Sequence, residues 1–284
     1  MKQDAIVIGQ GLFGSVIAQA LREQDLNVVT VDDVRPQRGS NPAACLMKPS
    51  WFSGLGREIY EPALQLLDDL YGVHDIRFKI GINLVHGTVH WADPAKILQP
   101  PTLKASVTSV ERGSEGHYRV RLYNPELGRE ATLSAPLCVV ATGIWVGELV
   151  QGAPTIAEQA GAAYLWPDAK VQEPFIKPWA PYKQLVAFNR GDGAWVGDGT
   201  SIKWDNWTEQ RESESAQRCM GAVGFTQTPK RLFGVRPYVK GAKPAYLDEP
   251  QPGLWLATGG AKNGTLAAGW CAHEIVRKIA GAGA

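Results

Sequence analysis

The strongest constraint on this chain lies between its fifth and its thirty-second residue. Ala5-Ile6-Val7-Ile8 is a continuous apolar run of strand type, suited to a parallel sheet covered on both faces. It runs into Gly9-Gln10-Gly11-Leu12-Phe13-Gly14, after which Val16, Ile17, Ala20 and Leu21 recur at helical spacing. Val28-Val29-Thr30-Val31 then reads as a second strand, ending at Asp32. Strand, glycine turn, helix, strand and a following acid form the context of a dinucleotide fingerprint. Gly9 permits the tight turn, Gly11 lets backbone approach a pyrophosphate, and Gly14 lets helix and strand pack closely. Leu12 and Phe13 open the helix, whose first N–H groups and partial positive charge face the phosphates. Asp32, or Asp33 one residue on, is placed to accept hydrogen bonds from a ribose 2′-hydroxyl. An acid there repels a 2′-phosphate, which argues against NADP but leaves NAD and FAD open.

Composition narrows the class. The chain has 284 residues, 44% apolar and 20% charged, enough for one large domain or two interleaved lobes. A net charge of +1 gives no bulk electrostatic reason to expect a nucleic-acid or membrane partner. Cys45, Cys138, Cys219 and Cys271 are scattered without a C-x-x-C pair, which suggests neither a disulfide framework nor a zinc site. His86 and His90 fall on one face of an expected strand, but two ligands without a third do not make a metal centre. No metal is expected. No apolar run reaches ~18 residues, and no basic-then-apolar leader precedes the first strand. A cytoplasmic protein with reduced thiols is the expectation.

The rest of the chain separates NAD from FAD. Gly39-Ser40-Asn41-Pro42-Ala43-Ala44-Cys45-Leu46-Met47-Lys48-Pro49 is a loop of small residues in which backbone can lie close to a flat ligand. Leu137 to Val140 reads as a buried strand ending in the turn Ala141-Thr142-Gly143. Leu254 to Thr258 ends at Gly259-Gly260 and is followed by Ala261-Lys262-Asn263-Gly264-Thr265 and a helix through Ile279. Together with Asp93-Pro94, Val196-Gly197-Asp198-Gly199-Thr200 and Gly234-Val235-Arg236-Pro237, these segments resemble, in order, the D-amino-acid oxidase superfamily. Glycine oxidase and sarcosine oxidase belong to that superfamily. The resemblance implies an α/β fold: a FAD-binding Rossmann-like domain of the glutathione-reductase type, interleaved with an α+β substrate domain built on an antiparallel sheet.

By the same resemblance FAD binds non-covalently and extended across the sheet, with its ring between the lobes. Ser40, Ala43, Ala44, Thr142 and Gly143 then lie along the cofactor, with Gly260, Lys262, Asn263, Gly264 and Thr265 at the pyrimidine edge of the ring. The expected cofactor lobe comprises residues 1–50, 101–150 and 253–284, and the substrate lobe 51–100 and 151–252. Helical spacing of Tyr60, Ala63, Leu64, Leu67 and Leu70-Tyr71 predicts one helix, and Ser213 to Val223 another. Gln184 to Phe188 and Ala194 to Val196 read as antiparallel strands. Two departures from the family pattern stand out: a helix cut short between Pro94 and Pro100-Pro101, and a charged hairpin over 111–132.

Flavin oxidation of an amine moves a hydride to the ring, so the cofactor carries the hard step and no side-chain base is required. Holding a glycine-like substrate calls for a guanidinium, which grips a carboxylate in a planar, two-pronged way. Arg236 is the candidate by resemblance, Arg231 the weaker one, and Tyr238 is placed to shape the pocket or to serve the core. In the family the chain resembles, a lysine near the flavin speeds oxygen reduction or stabilises the reduced anionic ring. Lys262 fits the second role by position, and Lys48 follows the small-residue loop near the expected ring; a solvated lysine is the alternative for each. The expected activity is oxidation of the C–N bond of a small glycine-like primary or secondary amine. It releases glyoxylate or another keto acid, with molecular oxygen as re-oxidant.

Ser40-Asn41 to Leu46 also resembles the FAD domain of the tRNA wobble-uridine-modifying enzyme. That points to the same chemistry on an amino-acid-decorated nucleobase in DNA or tRNA. Five of the ten tryptophans lie between Trp166 and Trp207; with Lys203, Lys230, Arg231, Lys240 and Lys243 they would serve base stacking and phosphate contact. A flavin monooxygenase acting on a protein side chain is a third reading, although no second complete dinucleotide fingerprint is present. A flavin-binding module without catalysis is the fourth, and the Arg236 motif counts against it.

Overall fold

The apolar run Ala5–Ile8 becomes the centre of a mixed sheet in the computed structural model, which describes residues 3–282 apart from Ser53, Ser114 and Tyr182. Val28–Asp32 and Leu137–Val140 pair with it on either side in parallel register, Ala5 opposite Val28 and Leu137. Leu254–Thr258 adds a further parallel strand outside Leu137–Val140, and Leu103–Lys104 one outside Val28–Asp32. Tyr246–Gln251 closes the far edge in antiparallel sense.

Every residue of the Ala5, Leu137 and Leu254 strands is buried, as continuous apolar runs demand of strands covered on both faces. The period of two then sorts them. Val7, Val139 and Trp255 face the helices Leu12–Arg22 and Gly264–Ala282, with Arg57–Tyr71 packed behind. Ile6, Ile8, Cys138 and Leu256 face a three-stranded antiparallel sheet, Ser106–Arg112, Tyr118–Asn124 and Arg129–Ala135. Each fully buried valine or isoleucine contributes about 1.5–3 kcal/mol.

A second large sheet carries the other half. Lys230–Tyr238 pairs with Ala157–Trp166 along nine residues, from Ala157 opposite Tyr238 to Leu165 opposite Lys230. The sheet continues through Ala194–Gly197, Lys183–Asn189 and Phe175–Ala180 to the hairpin Val73–Ile80 and Val85–Ala92. All its pairings are antiparallel except Phe175–Ala180 beside Val73–Ile80. Among the described residues, no helix is long and apolar enough to cross a membrane.

Several segments differ from their sequence expectation. The stretch 111–132 is part of three strands rather than one hairpin, because only Tyr118, Val120 and Leu122 alternate inward and the flanking strands are polar. The helix expected from Ser213 begins at Glu209, where the Thr208 side chain caps the Arg211 N–H. Its first turn is too polar to show a stripe, and the cap sets the start. The helix after Asp93 is indeed cut to Pro94–Ile97. Three segments also cross the expected lobe boundaries. Leu46–Met47 joins the second sheet beside Trp91 and His90, whereas Tyr246–Gln251 joins the first. Helix Arg57–Tyr71 lies against the C-terminal helix at Gly269, where a Cβ would come within 2.7 Å of the Ala63 carbonyl.

Candidate functional site

The glycine turn after Ala5–Ile8 opens one end of a pocket of about 1000 Å³, mouth included, that reaches the strand Lys230–Tyr238 of the second sheet. The turn leaves no room for side chains. Gly9 has φ +94°, and a Cβ there would sit 2.5 Å from the Ala141 carbonyl oxygen. At Gly14 a Cβ would lie 1.6 Å from the Gly9 oxygen, and at Gly11 2.8 Å from Ser40 Oγ. Ser40 Oγ accepts the Leu12 N–H at 2.9 Å, so the small-residue loop is fastened to the helix start.

Asp32 stands at the end of the second strand, 7% exposed. Its carboxylate accepts the Gln10 and Val34 N–H groups and lies 3.7 Å from Arg38 Nη1. Val34 turns its N–H inward at φ +58°, a conformation costly for a β-branched residue. Asp33 pairs with Arg35 Nε at 2.8 Å, and Arg35 also reaches Glu148 at 3.2 Å and lies 4.7 Å from the Trp145 ring centre. That assembly walls the acidic end of the pocket.

Midway, Thr142 Oγ1 is buried without a hydrogen-bond partner, and Gly143 takes φ +66°. Thr258 Oγ1 donates to the Gly143 carbonyl at 2.9 Å, joining two strand ends. Gly260 lies against Phe13, whose ring would be 2.8 Å from a Cβ at that position. Ala261, also lining the pocket, has φ +46°.

Arg236 also lines the pocket. Its Nη2 donates to the Thr200 carbonyl at 2.8 Å, while its Nε is buried and unpartnered. Burial pushes the guanidinium down to about 10, with Asp198 acting in the opposite sense, so it stays charged at neutral pH. Gly161 on the neighbouring strand makes the space: a Cβ there would sit 2.0 Å from Arg236 Nη2. The only carboxylates lining the pocket among the described residues are Asp32, Asp33 and Glu148, and no histidine, lysine or tyrosine lines it.

The expected site residues divide accordingly. Gly9, Gly11, Leu12, Phe13, Asp32, Asp33, Ser40, Thr142, Gly143, Gly260, Gly264 and Arg236 line this pocket, with Gly14 packed beneath the turn. Ala43, Ala44, Lys48, Tyr238, Lys262, Asn263 and Thr265 do not. The Ala43 carbonyl instead accepts from Arg190 and that of Ala44 from Trp91 Nε1. Lys48 is half-buried, and burial lowers its pKa. Tyr238 is 37% exposed and meets Gly260 through backbone only. Lys262 Nζ donates to the Gly199 carbonyl at 3.0 Å, Asn263 N–H donates to the Gly260 carbonyl, and Thr265 lies buried in the first turn of the last helix. Arg231 is ion-paired with Glu212, outside this pocket. Trp166 and Trp195 are core residues, 2% and 7% exposed, which removes them as stacking platforms.

Sequence reasoning missed Arg35, Arg38, Trp145, Glu148 and Gly161, which no short-range spacing connects. Asp198 lay within a quoted motif without a role; the fold buries it completely.

No protein-family model and no curated protein sequence matches the chain. Solved structures do. The iminodiacetate oxidase of Chelativorans sp. BNC1 superposes with a TM-score of 0.70 at 14% identity, over 98% of this chain and 95% of that one. The L-α-glycerophosphate oxidase of Mycoplasma pneumoniae, solved with FAD bound, gives 0.71 at 15% identity, over 99% and 95%. The glycine oxidase of Bacillus cereus gives 0.65 at 14%, over 99% and 95%. At this identity the likeness establishes a shared fold, a parallel α/β sheet interleaved with an antiparallel one, along nearly the whole chain.

Proposed function

We propose that the chain is a FAD-dependent oxidoreductase that oxidises the C–N bond of a glycine-like primary or secondary amine. The observation that carries this reading is one pocket lined both by the dinucleotide turn and by Arg236. Residues 1–50, 101–150 and 253–284 are taken as the main cofactor-holding part, and most of 51–100 and 151–252 as the substrate part.

The residues present fit an extended dinucleotide. Asp32 would take the ribose, the N–H groups after Gly11 the phosphates, and the backbone from Gly260 to Gly264 the flavin edge. Thr142 Oγ1, buried and unpartnered, supplies a further polar contact along that path. Bound FAD supplies a hydride acceptor, and oxygen is the re-oxidant assigned to it. The chain's own task is then orientation. Arg236, rigidly placed by Thr200 and Gly161, would grip the substrate carboxylate in a bidentate manner. No histidine, lysine or tyrosine lines the pocket among the described residues, and hydride chemistry of the kind a flavin would supply requires no side-chain base. The iminodiacetate and glycine oxidases that share the fold act, by name, on such amines.

An anaerobic titration tests the reading. Protein reconstituted with FAD should be yellow and should bleach with glycine, sarcosine or iminodiacetate. Bleaching by NADPH alone would replace it with a monooxygenase.

A further inference from the structure

Beyond Arg236, a group of cations gathers around the turn Asp198-Gly199-Thr200. Lys262 Nζ donates to the Gly199 carbonyl at 3.0 Å, and Arg236 Nη2 donates to the next carbonyl, that of Thr200, at 2.8 Å. Two cationic heads thus bind consecutive peptide oxygens, near enough for Arg236 to lower the Lys262 pKa. Behind them, Trp179 Nε1 donates to the Asp198 carbonyl at 2.7 Å. The Trp179 ring takes the Arg218 guanidinium at 3.7 Å and Lys183 Nζ at 5.1 Å from its centre.

The carboxylate of this group, Asp198, is already committed. Asp198 is fully buried, accepts the Thr200 N–H and hydroxyl at 2.8 Å each, and is ion-paired to Arg218. Among the described residues neither Lys183 nor Lys262 has an ion-pair partner. The mutual repulsion is felt: burial first, then Arg236 and Lys183, lower the Lys262 pKa, against Asp198. A monocarboxylate on Arg236 would leave both lysines without an ionic partner, Lys262 exposed and Lys183 half-buried.

Resting on the amine-oxidation reading, we infer that the substrate carries two anionic groups. One is the carboxylate held by Arg236; the second is a carboxylate or phosphonate-like anion received by Lys262 and Lys183. Lys183 stands at the start of the strand Lys183–Asn189 and Lys262 at the turn before the last helix. The anion they share would therefore bridge the two halves of the molecule.

The test compares malonate and phosphonoacetate with acetate as non-reacting probes. Dissociation constants are read from perturbation of the bound-flavin absorbance and, independently, by calorimetry on the protein without flavin. Both dianions should bind at least ~10-fold more tightly than acetate. Lys183→Met and Lys262→Met should each bring that ratio towards one, and Lys183→Arg should retain it. A wild-type ratio near one, or a ratio that neither methionine variant moves, overturns the inference. If the dianion preference holds while no amine bleaches the flavin, the amine reading falls and the two-anion site stands. Bleaching by amines with a ratio near one keeps the amine reading and removes the second anion.

Discussion

Arg236 owes its reach to a cavity cut for it and its charge to the ordinary strength of a guanidinium base, which burial weakens without abolishing. Arg236→Leu should lower kcat/KM for a carboxylate-bearing amine by an equivalent of about 2–5 kcal/mol while flavin remains bound. Arg236→Lys should recover only part of this, since an ammonium cannot make the paired contact. Steady-state kinetics checks both, and an unchanged KM in the leucine variant removes Arg236 from the site. Val34 offers a test on stability instead. Its positive φ costs roughly 1–2 kcal/mol that glycine does not incur, offset in part by glycine's larger loss of freedom on folding. Val34→Gly should therefore raise stability by about 0.5–1 kcal/mol, read by denaturant unfolding. A lower midpoint would show that the Val34 side chain, 37% exposed, packs more usefully than its surroundings suggest.

At the scale of elements, the glycines decide. Gly14→Ala would drive a methyl into the Gly9 carbonyl at 1.6 Å and force apart the first strand and helix, for a loss of roughly 3 kcal/mol or more and weak flavin uptake. Gly161→Ala pushes on the guanidinium and on the Thr200 carbonyl at 2.7 Å. It should weaken substrate binding as Arg236→Leu does, with FAD retained; a variant with normal KM would show that Arg236 has room to shift. These elements differ in how plainly the sequence announces them. Ala5–Ile8, Leu137–Val140 and Leu254–Thr258 are uninterrupted apolar runs ending in glycine turns, so they could be read directly. The strands Ser106–Arg112 and Arg129–Ala135 are solvated on one side and carry almost no pattern. Arg35, Trp145 and Glu148 meet across more than a hundred residues of chain, and no local spacing encodes such a meeting. Gly161 sits in an ordinary strand, and its purpose is visible only from the side chain it makes room for.

The molecule as a whole keeps its thiols out of reach. Cys45 and Cys138 are pushed up by burial to about 11 and about 12, and Cys219 and Cys271 are raised as well. The native protein should resist iodoacetamide at pH 8 and react at all four cysteines once denatured; rapid labelling of the folded form would contradict this burial. The same shifts make stability fall in alkali. Between the ordinary thiol value of 9.0 and about 11, the unfolded chain has lost protons that the folded chain still holds. Each such thiol then subtracts about 1.4 kcal/mol per pH unit. An unfolding midpoint that stays level from pH 9 to 11 would argue against it. One last property follows from the two glycine turns that end parallel strands on the same side of the sheet. The turn at Gly9 is translated some 250 residues before the one at Gly260, so a ribosome-bound fragment ending before Leu254 has only one of the two turns to which the proposed function assigns the flavin. On the proposed function uptake waits until synthesis has passed the last helix, and pulse-labelled chains arrested short of it should emerge colourless.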